Sequence, residues 1–483
     1  MVSPFFKQSF VVVGAAMSQM GHGAAYGYTA TLVAHYTDDQ GNKMSNTDLS
    51  WIGSVQSLSK IVAAYLTPFI MSKMGRQRAH LLSVIPILMH WLIFVFGKSI
   101  PVFITGRVLF GISAGIYGTI HNIIIAESTD PVNRGAFSTL SSLAVGVGVL
   151  WAHVWGNILA WRSSAAVSTI IPCVIAVMTW FSPETPSWLV SKQRYDEARK
   201  SFRWLRGDSQ EIQNEIEDLI ENDKAKCLET LMKPAKTSAV TDKIKNIITV
   251  IKTKEFYHPI CICVSMIVLI EFTGMETIMM SYGNFILKSL LSKNYPKDVK
   301  WHLNFLDFLR PVSTLLSIIF LKKVKRKVIL RSSALMTISS LIFTSVYVYI
   351  RNEGYFQQTL LLDIFVMCLM SLYTVSFYLG LSSLSFVIIG EIIPLSYRGT
   401  GSAIAMSGYC VITFILLKSF PQMYSEIGVE GIFLIFSFVC LISFTILHIL
   451  LPETKDLTLL EIENKFKPKK QVLEVEMNLM NTS

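Results

Sequence analysis

Ala126-Glu127-Ser128-Thr129-Asp130-Pro131-Val132-Asn133-Arg134-Gly135 returns in the second half of the chain as Gly390-Glu391-Ile392-Ile393-Pro394-Leu395-Ser396-Tyr397-Arg398-Gly399. In each stretch a glutamate precedes an Arg-Gly pair by seven positions. Two more markers recur in the same order. Pro183-Glu184-Thr185 is matched by Pro452-Glu453-Thr454, and the basic turn Gly75-Arg76-Gln77-Arg78 by Lys322-Lys323-Val324-Lys325-Arg326-Lys327. Markers repeated in one order mean a duplicated unit. The chain between them is almost wholly apolar, so the unit is a bundle of membrane helices, and a duplicated helical bundle is the architecture of a transporter.

Composition agrees. Of 483 residues, 52% are hydrophobic and 16% charged, against about 25% charged in soluble domains. A helix needs about 20 predominantly apolar residues to cross the hydrocarbon core. Candidate spans are Phe10–Val33, Ser50–Met71, Leu81–Phe96, Pro101–Ile125, Phe137–Leu159, Ser163–Phe181, Tyr257–Tyr282, Trp301–Leu321, Ile329–Ile350, Thr359–Ile389, Gly401–Phe420 and Gly431–Leu451. The expected fold is therefore all-α and polytopic, with twelve spans in two six-helix halves. The expected divisions are a first bundle over 1–182, a helical linker over 183–254, a second bundle over 255–455 and a tail over 456–483.

The net charge of +10 would suggest nucleic acid in a soluble protein, but its placement argues otherwise. Lys73, Arg76, Arg78, the run Lys322 to Lys327, Arg331 and the run Lys465 to Lys470 share one side of the twelve-span arrangement. The positive-inside rule puts that side, with both termini, in the cytoplasm. The lipid bilayer and a small solute are the expected partners, nucleic acid is not, and nothing demands more than a monomer. The seven cysteines show no metal or disulfide spacing, so neither metal nor cofactor is expected. The first span begins within about ten residues without a cleavage-site pattern and is expected to stay in the mature protein. No nucleophile-base set or phosphate loop supports an enzyme.

All repeated markers fall on the basic side. A carboxylate and an arginine at neighbouring helix ends can pair in a partly dehydrated setting. Arg76, Arg107, Glu127, Arg134, Arg326, Glu391 and Arg398 are therefore candidates for ion-pair clasps that close the cytoplasmic end. The alternative is topology determination and helix capping alone. In the linker, Tyr195, Ala198, Phe202 and Leu205, and then Ile212, Ile216, Leu219 and Ile220, recur at spacings of three and four, which predicts short amphipathic helices beneath the bundle.

At these motifs the chain resembles the sugar porters of the major facilitator superfamily, particularly insect facilitated trehalose transporters. The resemblance runs from about Val11 to Glu463. It rests on Tyr26-Gly27-Tyr28-Thr29, Gly75-Arg76, Gly106-Arg107 with Gly111 and Gly115, Ala126-Glu127 with Arg134-Gly135, Pro183-Glu184-Thr185-Pro186-Ser187-Trp188-Leu189, Gly390-Glu391 with Arg398-Gly399, and Pro452-Glu453-Thr454. It implies the major facilitator fold and facilitative sugar transport at the plasma membrane.

The positions that hold sugar-binding amides, prolines and a tryptophan in that family carry other residues here. They are Ser142 in span 5, Ile270, Glu271 and Glu276 in span 7, Arg310 in span 8, Ser382, Ser383, Ser385 and Phe386 in span 10, and Gly408 in span 11. The resemblance thus implies a substrate site at Ser142, Glu271, Glu276, Arg310, Ser385 and Phe386. Charge at membrane depth is costly and usually paired, cavity-facing and functional. Asp307, three residues before Arg310, can pair with it on one helix face, so a structural brace is an equal alternative to substrate contact. Glu271 and Glu276 are five apart, about 140° round a helix, and can border a cavity only near its edges. Gln19, His22, His121, Asn122 and His153 are weaker cavity candidates. Loss of the prolines in span 10 predicts a more regular, stiffer helix. Three functions remain open: a facilitative sugar carrier, a proton-coupled or charged-solute carrier, and a nutrient sensor that binds without transport.

Overall fold

The computed structural model describes residues 3–38, 44–232, 254–291, 299–355, 359–393, 398–455, 457 and 459–466. Every regular element among them is helical. The first half comprises α1 (Pro4–Asp38), α2 (Asn46–Met74), α3 (Arg76–Phe96), α4 (Ile100–Ser128), α5 (Pro131–Ile158), and α6 (Trp161–Ser168) followed by α7 (Ile170–Phe181). Three linker helices follow: α8 (Pro186–Ser191), α9 (Tyr195–Arg206) and α10 (Gln210–Met232). The second half comprises α11 (Lys254–Thr273), α12 (Ile278–Leu290), α13 (Val299–Lys323) and α14 (Arg326–Asn352). α15 (Leu360–Ser376) passes through a π-helical turn (Phe377–Ser382) into α16 (Ser383–Ile392), and α17 (Arg398–Leu450) and α18 (Leu459–Asn464) close the chain.

Nine helical stretches among the described residues are long and apolar enough to cross a membrane by length and composition. The last of them, Gly401–Leu450, has 50 residues. At helical rise that is about 75 Å, more than two hydrocarbon thicknesses. It breaks at Gly428, where φ is 68° and ψ −178°, and so holds two crossings. With α1 and α2, of 35 and 29 residues, the set fits twelve crossings, six in each half.

Within the halves, α1 packs on α5, α2 on α4, and α11 on α17. Lipid tails are as apolar as leucine, so such contacts depend on close backbone approach rather than on a hydrophobic drive. At Gly148 of α5 an added Cβ would stand 2.0 Å from the Met20 carbonyl oxygen of α1. No side chain fits there. The halves meet where α2 packs on α17, α5 on α13, and α1 on α12.

α9 and α10 form where the spacing predicts helices, and α8 precedes them. Trp188, Leu189, Val190, Ala198, Phe202, Ile216 and Ile220 make one buried cluster. Arg199 forks onto Glu217 at 2.7 and 2.9 Å. The Arg206 guanidinium lies 3.2 Å from Asp130, whose carboxylate also accepts from Gln8 at 2.8 Å. These contacts tie α9 to α1 and the turn after α4.

Candidate functional site

The second half supplies most of a cluster of charged side chains between the halves. α11 ends at Thr273 and α12 begins at Ile278. Gly274 lies between them at φ 76°, a conformation that L side chains rarely adopt. The Tyr373 hydroxyl donates to the Thr273 carbonyl freed by the break. Span 7 is therefore discontinuous, which corrects the expectation that Glu271 and Glu276 are two points on one regular helix. Discontinuous helices at midplane are where transporter folds place binding groups.

Glu271 is fully buried. Its carboxylate accepts from the hydroxyls of Thr277 at 2.7 Å and Thr413 at 3.0 Å, which ties the break to α17. Its Oε1, and Oε2 of Glu276, have no hydrogen-bond partner among the described residues. Lys60, from α2 of the other half, interacts electrostatically with both carboxylates, and its Nζ stands 5.3 Å from the Tyr409 ring centroid. Lys60 is a functional candidate that sequence reasoning missed. The signal was available, because it is the sole charge between Ser50 and Met71.

Arg310, 3% exposed, places its guanidinium 5.0 Å from the Tyr378 ring centroid and 3.3 Å from Asp307. Arg310 Nε and Nη1 and the Tyr378 hydroxyl have no hydrogen-bond partner among the described residues. Asp307 also accepts from His153 Nδ1 of α5. A carboxylate paired with a guanidinium can only accept, so Nδ1 carries the proton. One turn away, Asn157 donates to Asn304 at 3.0 Å. Glu271, Glu276, Arg310 and Lys60 thus converge where the halves face each other.

The remaining predicted contacts divide. Ser142 is exposed and lies one helical turn before Gly146, where an added Cβ would meet Arg310 Cδ at 3.7 Å. Both sit on the face of α5 turned toward Arg310. Ser385 corrects the expectation, because it is fully buried and donates its hydroxyl to the Leu381 carbonyl at 2.5 Å. The Phe386 side chain lies outside the described residues. Span 10 is also not the regular helix expected without prolines. At Gly380 an added Cβ would stand 2.3 Å from Ser333 Cβ, and the Ser383 hydroxyl bonds the Tyr378 carbonyl at 3.1 Å. Close packing and that side-chain bond accompany a π turn, a feature frequent at functional sites.

His22, His80 and His121 are buried core residues with partners. Ser18 and His80 share a bond of 2.7 Å, His22 reaches Ser113 at 3.1 Å and His121 reaches Tyr117 at 2.9 Å.

At the basic end the duplicated markers form duplicated brackets. Arg76 donates to Glu127 at 3.0 Å, while Glu184 accepts the backbone N–H of Arg76 at 2.8 Å. In the second half Arg326 pairs with Glu391, and Glu453 accepts the backbone N–H of Arg326 at 3.1 Å. Each carboxylate at position 184 or 453 caps a helix start, where free N–H groups favour an anion. Both pairs join helices of the same half. In this structure they brace neighbouring helices within each half. The side chains of Arg134 and Arg398 lie outside the described residues. Arg107 does not belong here: it is 20 residues from Glu127 on α4, about 30 Å at helical rise. It is buried and donates to the Ala25 carbonyl at 2.8 Å.

The two capping carboxylates titrate differently. Burial raises Glu184, and backbone N–H bonds offset this only in part. Burial also works to raise Glu453, but the N–H groups of Lys455, Lys327, Arg326 and Thr454 outweigh it and hold the carboxyl below its ordinary value. Stability from Glu453 is therefore present above the unfolded carboxylate pKa of about 4.3 and lost as the pH falls through the lowered folded value. Glu453→Gln is expected to lower the melting temperature at neutral pH, and the gap to close in acid. Paired melts from about pH 7 down to about pH 3.5 measure it.

The sugar (and other) transporter family model matches residues 9–466. The chain is similar to the facilitated trehalose transporter Tret1 of Polypedilum vanderplanki, 25% identical over 95% of this chain and 88% of that one. It is also similar to Tret1 of Bombyx mori, 26% identical over 95% and 87%. Among solved structures, the inward open xylose transporter XylE from E. coli superposes with a TM-score of 0.73 at 17% identity, covering 96% of this chain and 100% of that one. XylE bound to 6-bromo-6-deoxy-D-glucose, a proton:xylose symporter of the major facilitator superfamily, gives 0.67 at 17% identity over 96% and 99%. With the fold shared along nearly its whole length and the family model spanning both halves, the chain belongs to the sugar (and other) transporter family.

Proposed function

We propose that this protein carries a sugar, trehalose or a hexose, down its gradient by alternating access across the plasma membrane, with the basic end and both termini cytoplasmic. The four-part division at residues 182, 254 and 455 is part of this reading. One observation carries it: polar atoms without hydrogen-bond partners from Glu271, Glu276, Arg310 and Tyr378 converge between the halves. A sugar offers hydroxyls that both donate and accept, so it can satisfy carboxylates and a guanidinium at once, and charge-assisted bonds are the stronger kind. Ser142 and Lys60 border the same space from the first half, and Phe386 remains a candidate contact.

The test is uptake of labelled trehalose, glucose and fructose into proteoliposomes, with and without an inward proton gradient. Saturable, gradient-independent uptake with counterflow is expected. Glu271→Gln is expected to weaken uptake about tenfold or more, the loss of a hydrogen bond to a charged group. Absence of counterflow for every solute would favour a sensor. A second reading, proton coupling, draws on the buried Glu271 carboxylate held by Thr277 and Thr413. Uptake that needs the gradient and loses that need in Glu271→Gln would select it.

A further inference from the structure

We infer that His153, Asp307 and Arg310 form a latch that couples the cavity to the seal at the end opposite the basic turns, with His153 as its movable member. The inference deepens the carrier reading and rests on it. Asp307 and Arg310 sit three residues apart on α13, so their ion pair travels with that helix as one neutral unit. His153 belongs to α5 in the other half. All three are buried, at 0%, 3% and 1% exposure for Asp307, Arg310 and His153.

When the halves part at this end, the imidazole–carboxylate bond and the neighbouring Asn157–Asn304 bond must break. The ion pair stays whole. A hydrogen bond to a carboxylate is surrendered more easily than a buried charge pair, which suits a contact broken in every transport cycle.

Arg310 is also the link to solute. Its Nε and Nη1 have no hydrogen-bond partner among the described residues, and it interacts electrostatically with Glu276. A solute that engages the guanidinium draws it from Asp307. The carboxylate, less neutralised, then holds His153 more strongly. Binding at the cavity thereby tightens the seal, a shift that needs a solute contact differing between the two states. Arg310 touches solute, whereas Asp307 and His153 are positioning residues.

Leu49, 4% exposed in the cluster that joins α2 to the second half, is a reporter of the seal. The rate at which a maleimide labels Leu49→Cys above the parent background is measured on purified protein, without and with saturating trehalose. His153→Ala is expected to raise the solute-free rate about tenfold, the equilibrium shift of one hydrogen bond to a charged group. His153→Gln, which keeps an N–H donor, is expected to return it toward the parent rate, as mere loss of packing would not. Trehalose is expected to slow labelling in the parent and not in Asp307→Asn. Parent-like labelling in a well-folded His153→Ala protein would overturn the latch. Counterflow with no effect of trehalose on labelling would overturn the coupling, whereas loss of both counterflow and labelling response would instead remove the carrier reading.

Discussion

Arg310→Ala is expected to destabilise the protein by about 3–5 kcal/mol, the range for removing one partner of a buried ion pair. The Asp307 carboxylate would remain fully buried, with only the His153 imidazole beside it. An isolated carboxylate in low dielectric is the costly species, not the absent arginine. The companion double variant, Asp307→Asn with Arg310→Leu, removes both charges at similar volume and is expected to recover most of the loss. Yield of monodisperse protein and melting temperature in detergent measure both variants. Parent-like behaviour of Arg310→Ala would mean that Asp307 is not confined as described. Recovery of folding in the neutral pair without recovery of uptake would give the pair a part in transport beyond that of a brace.

Gly148→Val is expected to have the second largest effect, at or above the upper end of the 1–3 kcal/mol typical of overpacking. An added Cβ would stand 2.0 Å from the Met20 carbonyl oxygen and 2.8 Å from the Ala24 nitrogen. Both atoms are backbone of α1, so no rotamer change relieves the clash and the helices must separate along their contact. Gly118→Val serves as the control on α4, because a Cβ added there would have nothing within 4 Å. It is expected to melt like the parent. Equal melts for the two valine variants would show that α1 and α5 do not depend on this close approach.

The charged cluster between the halves was largely legible from the chain. Glu271, Glu276 and Arg310 stand out because each interrupts an apolar span, and the same rule, applied to Lys60, would have completed the set. Asp307 was legible as a partner because its spacing to Arg310 is local to one helix. His153 was not, since it lies 154 positions from Asp307. Ser385 misled for a related reason: the residue type allows a solute contact, but its hydroxyl is turned to its own helix. The paired glutamates and arginines at the basic end were recognised as ion pairs, yet their spacing could not say whether they join helices within a half or across the halves.

Composition, span length and the repeated markers determine an all-helical, duplicated bundle and which of its ends is basic. They can do so because excluding charge from hydrocarbon penalises each residue by itself, whatever its neighbours. Tertiary structure alone decides which carboxylate meets which cation, where α11 gives way to α12, and which hydroxyl remains for a solute. Those outcomes depend on distances between groups far apart in the chain, and both Coulomb attraction and hydrogen bonding are functions of that separation.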